Sequence, residues 1–489
     1  MPPEATPEAT PPDTTPPATR VPRIRGNDHG VLAPPPLGAW TPRLSVSVII
    51  PAHRSQRTLD LALAALAAQS YPAHLLEVIV ADDGSDPPLR LPEIAPERTR
   101  LVRCDPGGWG AAWACQTAMR HASGDVVHRL DSDVVPHREH VEALMRWHHL
   151  ADYLVVTGAL RFTEEDLPSP AEVYAAVAGD RAAKLFDWSA SHPHAWIEDQ
   201  LAKTRDLRDA PVEAFKAHVG ASASMPARLY REAGGMDPGL PLGEDTEFGY
   251  RLAQRGAVFL RDADARAWHV GAHTMRHRGD QAKRHNWPLL AERVPALRWL
   301  RRHPRRQWLV PCVEAVVEAG GEPYERVRAT VDALLASTLP DLSVTVVGPW
   351  SELPEGRRSP LDDPWLDLRL VQYTYEHEPR VRLAETIPPD AFPAMFRLTC
   401  PPGWAPSPET VRRLVKDANA NAWGLTCLAL DETPDAVIAA RLERTAAVTR
   451  ARHLRADGED LDDVIDEVFG VHWLDGASYG FTRQDPAPG

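Results

Sequence analysis

The run Val46–Pro51 (VSVIIP) decides the fold of the chain. Its β-branched residues, closed by a proline, are typical of a short buried strand. Leucines at helical spacing follow, with Thr58 as the predicted N-cap. A second apolar run, Val78–Ala81, leads into the acidic turn Asp82–Ser85 about thirty residues after the first run. Strand, helix and strand at this spacing predict a βαβ unit.

Two more strands are expected at residues 101–104 and 126–130, with a helix between them. Strands that alternate with helices predict an α/β fold with a parallel, doubly wound, Rossmann-like sheet. Ligands bind such sheets outside the carboxyl ends of the strands. Asp83 and the pair Asp131 and Asp133 follow predicted strand ends, so we expect them to meet in one crevice.

Composition sets the predicted domain boundaries. Residues 1–42 are so rich in proline, threonine and small polar residues that we expect a disordered tail. A first α/β domain is predicted for residues 43–300. After a basic stretch the order of strand, helix and strand restarts, ending in the strand-like run at 342–347. We therefore predict a divergent, smaller α/β domain at residues 305–485, produced by an internal duplication.

Charge and cysteine content narrow the class of protein. A net charge of −14 argues against a nucleic-acid partner, because phosphate backbones require a dense positive surface. Five cysteines without a CxxC pair, no signal-peptide pattern and no apolar run of transmembrane length predict a cytoplasmic protein. The arginines between 298 and 306 are typical of a solvated helix, with peripheral contact to a membrane as the alternative. A homo-oligomer also stays open.

Asp131 and Asp133 form an acidic DxD triplet at the end of the predicted strand 126–130. Divalent cations such as Mg²⁺ and Mn²⁺ prefer oxygen ligands and keep positions open for phosphates. Two further triplets of this kind occur in the chain, at Asp262/Asp264 and Asp460/Asp462. The triplet alone is therefore a weak signal, and its place beside a second acidic turn is what favours a metal site over a solvated loop.

Two later segments carry chemistry-bearing residues. Gly243, Glu244 and Asp245 lead into a predicted helix, where acids are favoured for structural reasons alone. His269 follows Trp268; a lone histidine is usually a satisfied polar residue, although imidazole is a common metal ligand. The residues by themselves leave the structural and the functional interpretation open.

Taken together and in this order, these segments resemble glycosyltransferase family 2, which has the GT-A fold. The resemblance covers about residues 44–275. It implies an inverting transferase that moves a sugar, hexosyl or N-acetylhexosaminyl, from a nucleotide diphosphate donor to an acceptor hydroxyl. A UDP-sugar is the first donor to consider. The acceptor would be a saccharide, a lipid-linked molecule or a small molecule.

The resemblance also implies roles for single residues. Pro51, Asp83 and Asp131 would bind the donor, Asp83 at its base and Asp131 on the ribose side. Asp133 and His269 would hold the metal, Mn²⁺ or Mg²⁺.

In the same way, Asp245 would be the general base and Glu244 would support it. The segment His218–Met225 is similar to the acceptor side of the family, although an ordinary tight loop explains it equally well. Ala52-His53 departs from the Tyr-Asn pair that often follows the first strand, and no QxxRW motif follows the acidic loop. Transfer of single sugars is therefore expected rather than processive synthesis.

In the second half Gly348-Pro349 stands where the acidic turn would be, and Thr399-Cys400-Pro401 where the DxD triplet would be. We therefore expect a catalytically inactive GT-A-like domain that serves as a scaffold, a dimer surface or an acceptor-docking platform.

Two other functions compete. A nucleotidyltransferase would need a glycine-rich basic loop after the first strand, and His53–Gln56 is not one. A non-catalytic carbohydrate-binding or scaffolding pseudoenzyme stays the alternative function. Trp188 and Trp196 are expected in the core, with stacking on an acceptor sugar as the second interpretation.

Overall fold

The computed structural model of the protein describes residues 21–271, 274–303, 306–434 and 436–484. The strands of its first half are β1 (Val46–Ala52), β2 (Leu76–Asp82), β3 (Thr99–Arg103), β4 (Val126–Leu130), β5 (Val134–Pro136), β6 (Leu154–Thr163), β7 (His192–Pro193), β8 (Ser222–Pro226) and β9 (Val258–Val270). The helices of this half are α1 (Gln56–Leu66), α2 (Ala111–Met119), α3 (His140–His148), α4 (Pro170–Ala178), α5 (Ala195–Lys203), α6 (Ala227–Glu232), α7 (Glu244–Gln254) and α8 (Thr274–Arg293).

The second half repeats the alternation of strands and helices. Its strands are β10 (Val313–Glu318), β11 (Leu342–Val347), β12 (Val381–Ala384), β13 (Phe396–Thr399), β14 (Trp404–Pro406), β15 (Leu425–Glu432), β16 (Val437–Arg444), β17 (Val471–Asp475) and β18 (Phe481–Arg483). Its helices are α9 (Tyr324–Leu335), α10 (Leu366–Tyr375), α11 (Thr410–Ala420), α12 (Thr445–Leu454) and α13 (Leu461–Val468). The α/β class predicted from the alternation is confirmed.

The first sheet has the strand order β3-β2-β1-β4-β8-β6-β9-β5, with β7 paired to β6. Strands β3, β2, β1 and β4 are parallel, as predicted. The expectation of a parallel sheet fails beyond β4, because β8 runs antiparallel to both β4 and β6. A fully buried strand reads as the same apolar run in either direction, so its sequence does not reveal this reversal.

Burial on both faces holds the centre of this sheet. Leu59 and Leu63 of α1 pack on one face of β1 and β2, and Ala112 and Cys115 of α2 pack on the other. Helix α1 begins earlier than expected, with Ser55 rather than Thr58 at the N-cap position. Because β2, β1 and β4 run parallel between these helix layers, the turns after β2 and β4 emerge at the same edge of the sheet.

The second sheet has the order β12-β11-β10-β13-β16-β15-β17, and β14 pairs with β18 apart from it. Its pairs repeat the senses of the first sheet: three parallel pairs, then two antiparallel pairs, then a parallel one. Val126 of β4 lies beside Val46 as Phe396 of β13 lies beside Val313. The strand order of the second half therefore matches that of the first.

This register corrects one expectation about the second half. If Phe396 is equivalent to Val126, the positions of Asp131 and Asp133 fall on Pro401 and Gly403. The spacing from β4 to β5 equals that from β13 to β14, which supports the same alignment. Pro401-Pro402-Gly403 therefore replaces the acidic triplet, rather than Thr399-Cys400-Pro401.

The expected disordered tail is wrong for residues 21–42, while residues 1–20 lie outside the described part of the chain. Ile24 is fully buried against helices of the second half. Arg23 forms ion pairs with Glu459 and Glu467. The side chain of Asn27 donates to Phe259 O and accepts from Phe259 N, both at 2.8 Å. Composition misled here because the partners that order this segment lie far away in sequence.

The basic stretch after α8 joins the two halves. The side chain of Arg301 is 0% exposed and pairs with the equally buried Asp341, Nη1 to Oδ2 at 2.8 Å. Arg298 reaches the same carboxylate at 2.5 Å. Asp341 precedes β11, so these arginines bind the second half instead of lying on a solvated helix face. Within the described residues, no helix combines the length and apolar character needed to cross a bilayer.

Candidate functional site

Asp131, Asp133 and His269 come together at the edge of the first sheet. The two aspartates lie in the turn between β4 and β5, and β5 pairs antiparallel with β9 so that Val134 lies beside His269. One ligand atom from each of the three side chains lies within 4.8 Å of the others. His269 Nε2 is 3.6 Å from Asp133 Oδ1. Strand pairing thus unites residues that are far apart in sequence.

The three side chains fit a divalent cation. Two carboxylates and one imidazole are a donor set that suits Mn²⁺ or Mg²⁺, with the nitrogen favouring the softer Mn²⁺. The Asp133 side chain is 37% exposed, so the group opens to a ligand from outside. Burial raises the pKa of Asp133, and the charge of Asp131 acts in the same direction. A bound cation would offset both effects by favouring the ionised carboxylate.

The imidazole of His269 is oriented by packing. Its ring lies 4.6 Å from the ring of Phe162, its neighbour on β6. Among the described residues, its Nδ1 has no hydrogen-bond partner. Metal-binding histidines usually donate this second N–H. Here the aromatic ring of Phe162 fixes the orientation instead.

The other two acidic triplets have structural roles. Asp262 accepts hydrogen bonds from Arg146 Nη2 and from Trp147 Nε1, both at 2.7 Å. Asp264 accepts a further bond from the same arginine. In the third triplet, Asp460 caps helix α13 and Asp462 pairs with an arginine of β16, Arg441. The described part of the chain therefore uses only the first triplet to build a group that could hold a metal.

Arg129 links the acidic triplet to the acids of α7. Its Nη2 lies 3.2 Å from Asp131 Oδ1 and 3.3 Å from Glu244 Oε1. Both Arg129 and Glu244 are buried. Burial raises the pKa of Glu244 to about 7, against the opposing charge of Arg129. Glu244 therefore acts as a buried partner for the arginine.

Gly243 begins α7 in the left-handed conformation (φ 84°) and turns Glu244 and Asp245 into the first helical turn. Asp245 Oδ1 accepts from Thr246 N at 2.7 Å, and Asp245 Oδ2 lies 3.4 Å from the amide N of Gly220. Asp245 is only half-buried. It is thus an accessible carboxylate at a helix N-terminus.

The segment Gly220-Ala221 bridges the two acidic elements. Ala221 O accepts a hydrogen bond from Asp131 N at 3.1 Å, and Gly220 N points to Asp245. The segment leads directly into β8, which pairs with β4. Asp131 and Asp245 therefore each contact one of two consecutive residues.

Asp83 lies at the neighbouring strand end. Its backbone N donates to Ala52 O, the residue after Pro51, and its Oδ2 accepts from Gly110 N at 2.7 Å. The preceding Asp82 shapes the turn, because its buried carboxylate accepts from the amides of Ser85 and Leu89. The carboxylate of Asp83 is thus tied to the start of α2, at the end of the strand that lies between β1 and β3.

Sequence reasoning assigned no role to Arg129, and it considered His218 only as part of the segment His218–Met225. A charged residue inside the fully buried strand β4 was the available signal for Arg129. His218 is buried, and its Nδ1 lies 2.9 Å from Asp245 O. The expectation that Trp188 and Trp196 fill the core is wrong, since they are 55% and 49% exposed.

Residues 47–208 match the sequence model of the family described as "Glycosyl transferase family 2". Two curated relatives match most of the chain. The chondroitin synthase of Escherichia coli is 26% identical over 358 residues, covering 69% of this chain and 49% of its own length. The hyaluronan synthase of Pasteurella multocida is 25% identical over 370 residues, covering 70% and 35%. The chain is thus similar to glycosyltransferases and spans about half or less of these relatives.

Among solved structures, the mannosyltransferase PcManGT from Pyrobaculum calidifontis, in complex with GDP-Man and Mn²⁺, is 21% identical. The match covers 53% of this chain and 65% of that one, with a TM-score of 0.35.

Proposed function

We propose that this chain is a metal-dependent, inverting glycosyltransferase of family 2 that moves a sugar from a nucleotide diphosphate donor to an acceptor hydroxyl. One observation carries the proposal. The group of Asp131, Asp133 and His269, within 4.8 Å, is joined through Arg129 to the acids at the start of α7. A cation-binding group beside an accessible carboxylate is what the departure of a diphosphate and the attack of a hydroxyl require.

The donor would lie along the carboxyl edge of β2, β1 and β4. Asp83 would contact its base, Pro51 would line the same side, and Asp131 would face the ribose. Asp133 and His269 would hold Mn²⁺ or Mg²⁺, with Asp131 close enough to share in that role. When bound, the cation would stabilise the negative charge that gathers on the leaving nucleotide diphosphate.

Asp245 would be the general base. It is half-buried, so it can reach an acceptor hydroxyl. Its Oδ1 or Oδ2 would accept the hydroxyl proton while the hydroxyl oxygen of the acceptor forms a bond to the anomeric carbon. Glu244 is buried against Arg129 and would position the guanidinium of Arg129 rather than accept the proton of the acceptor hydroxyl. Attack from the side opposite the leaving group would invert the anomeric carbon.

The acceptor is the least constrained part of the proposal. The relatives are named chondroitin and hyaluronan synthases, so a saccharide acceptor and UDP-sugar donors of the hexosyl and N-acetylhexosaminyl classes are the first to test. Trp196 is exposed next to His194, whose ring lies 4.6 Å from that of Phe162. Phe162 supports His269, so this aromatic edge lies beside the proposed metal site and would suit a sugar ring.

The second half would be a catalytically inactive copy. Its strand order repeats that of the first half, and Pro401, Gly403 and Pro349 fall on the positions of Asp131, Asp133 and Asp83. None of these residues has a side chain that could bind a metal. A cytoplasmic location is part of the proposal; all five cysteines are free thiols in the buried interior.

The test is a nucleotide-release assay on the purified chain with UDP-, GDP- and dTDP-sugars, in Mn²⁺, Mg²⁺ or EDTA. We expect release from one donor that EDTA abolishes and Mn²⁺ restores. Addition of a saccharide acceptor should raise the rate, and NMR of the product should give inverted anomeric configuration.

The alternative is a non-catalytic carbohydrate-binding protein. Calorimetric titration separates the two functions. Saccharide binding without metal dependence, together with no release from any donor, would favour the pseudoenzyme and contradict the proposed transferase.

A further inference from the structure

Positive charge is concentrated in one segment of this acidic chain. Residues 276–306 contain ten Lys and Arg against two acids, whereas the whole chain carries −14. Three of these arginines are bound internally: Arg293 pairs with Asp237, and Arg298 and Arg301 pair with Asp341. The others described are exposed, namely Arg276, Arg278, Lys283, Arg284, Arg302 and Arg306, of which Arg306 also pairs with Glu292.

Part of this charge lines a groove beside α8. The groove has a volume of about 620 Å³, and its charged and aromatic walls include Lys283, Arg284, Trp287, Arg306 and Trp308. Its remaining walls are Asp280, Pro288, Ala291 and Leu300. Cations and tryptophans therefore share one open face of the molecule.

Large apolar side chains rim the same face. Trp299 is 48% exposed and meets Trp287 edge to face, with ring centroids 5.0 Å apart. Leu309, next to Trp308, is 69% exposed. Arg306 lies over the ring of Trp308 at 4.7 Å. We call this face, formed by Lys283, Arg284, Trp287, Trp299, Arg306, Trp308 and the adjoining Leu309, the basic-aromatic face.

The chemistry of the basic-aromatic face selects its partner. A site for a neutral saccharide usually includes hydroxyl or amide side chains that exchange hydrogen bonds with the sugar hydroxyls, and none of the described residues that line the groove is Asn, Gln, Ser or Thr. Arginines and lysines mixed with tryptophan and leucine are instead the residues that rest at the interface of an anionic bilayer. The rest of this chain is acidic and would be repelled by such a surface.

We propose that the basic-aromatic face docks the protein on an anionic lipid bilayer. The cations would contact headgroup phosphates, and Trp287, Trp299 and Leu309 would enter the interfacial layer. Docking would also orient the proposed active site. Asn286 of α8 lies against Gly243, because a Cβ atom on that glycine would be 2.9 Å from Asn286 Nδ2. The helix that meets the bilayer thus also supports the loop that carries Glu244 and Asp245.

Vesicle co-sedimentation of the full chain tests the proposal without any assay of sugar transfer. We expect sedimentation with vesicles that contain phosphatidylglycerol, little with pure phosphatidylcholine, and release by high salt. The double variant Lys283→Gln/Arg284→Gln, which changes two exposed cations of the groove, should bind on the order of 25-fold more weakly, since each basic residue near an anionic surface contributes about fivefold.

The matched control is Arg100→Gln/Arg452→Gln, which removes two exposed arginines elsewhere on the chain and should bind like the wild type. Trp299→Ala should weaken binding in a way that salt does not change. An equal loss of vesicle binding in the test and control double variants would overturn the proposal. The absence of wild-type sedimentation at low salt would do so as well. If the protein does not bind vesicles but is retained on a heparin resin, the face would be assigned to a polyanionic saccharide instead.

Discussion

A Cβ atom on Gly220 would lie 1.1 Å from Nη1 of Arg129. The absence of a side chain at Gly220 is therefore what allows the guanidinium to sit between Asp131 and Glu244. No other residue type leaves that space, so the glycine and the arginine form one structural unit in the candidate site.

Gly220→Ala should displace Arg129 and separate it from both carboxylates. We expect turnover to fall by about 10²-fold, because the geometry around the donor is lost, and stability to fall by about 1–3 kcal/mol from overpacking. Steady-state kinetics and urea unfolding measure the two effects. Gly320→Ala is the control, because its Cβ would meet nothing nearer than Pro349 Cδ at 3.9 Å. Wild-type turnover in Gly220→Ala would refute the role of this unit.

Asp133→Ala should abolish metal-supported donor binding and leave the fold intact, because the carboxylate is partly exposed and its main partner is His269. Calorimetric titration of Mn²⁺, with and without nucleotide, measures the loss. Asp264→Ala removes an aspartate from a triplet of the same pattern and should keep full metal binding. Equal losses in the two variants would mean that the metal site has been assigned to the wrong acids.

Asp245→Asn should retain donor binding and lose transfer. Removing a general base costs about 10² to 10⁴ in rate, and the amide keeps the size of the carboxylate. Glu244→Gln should instead change the interaction with Arg129 and affect donor binding as well. Rapid-mixing kinetics beside equilibrium binding separate these outcomes. Full turnover in Asp245→Asn would exclude it as the base.

How far could the sequence predict this site? The apolar runs located β1, β2, β4 and β11 closely, because continuous burial leaves a clear composition signal. The turns after β2 and β4 followed from the topology of parallel strands. The meeting of Asp133 with His269 was expected only from the family resemblance, because it depends on the antiparallel pair β5 and β9, which no local pattern encodes.

Other features depended on partners distant in sequence. The residues around Ile24 read as a tail because the segment has few apolar side chains of its own, and its contacts come from β9 and helices α12 and α13. Arg129 was visible as a charge in a buried strand, but its two carboxylate partners were not. Long-range pairing, not local propensity, decided each of these cases.

Acid should destabilise the protein through buried histidines. Burial lowers the pKa of His128, of His140 to about 4 and of His148 to about 3. Below pH 6.5 the unfolded chain binds these protons while the native state does not. The free energy of unfolding therefore decreases as the pH is lowered, by about 1.4 kcal/mol per pH unit for each histidine. Urea unfolding between pH 8 and pH 5 measures the slope.

The variant His148→Gln isolates one of these groups, since glutamine can keep the hydrogen bond to Ser224 Oγ, now 2.8 Å long. The free energy of unfolding of this variant should depend less steeply on pH, because one proton fewer is taken up on unfolding. The exposed His121 provides the comparison: His121→Gln should keep the wild-type slope. An unchanged slope in His148→Gln would show that this residue is not neutral in the native state.

Asp341→Ala should destabilise the chain by about 3–5 kcal/mol, because it leaves the charge of Arg301 buried without its partner. Cys312 N would lose an acceptor as well. Thermal and urea unfolding measure the change. Asp209→Ala breaks an exposed pair with Arg205 and should leave stability unchanged. A small effect of Asp341→Ala would mean that Arg301 reaches water.

The segment that begins at Val21 connects the two halves that share the repeated strand order. Arg450 of α12 donates to the carbonyls of Ile24 and Gly26 and also to those of Gly256 and Ala257. Two stretches of backbone, one near the start of the chain and one in the middle, thus converge on one buried cation that a helix near the end of the chain supplies. Either half, if separated at the boundary between the sheets, would expose the surface that is buried in this contact. The chain contains its pattern of strands twice, yet its two halves share a buried interface, so the repeat is not a unit that can be separated.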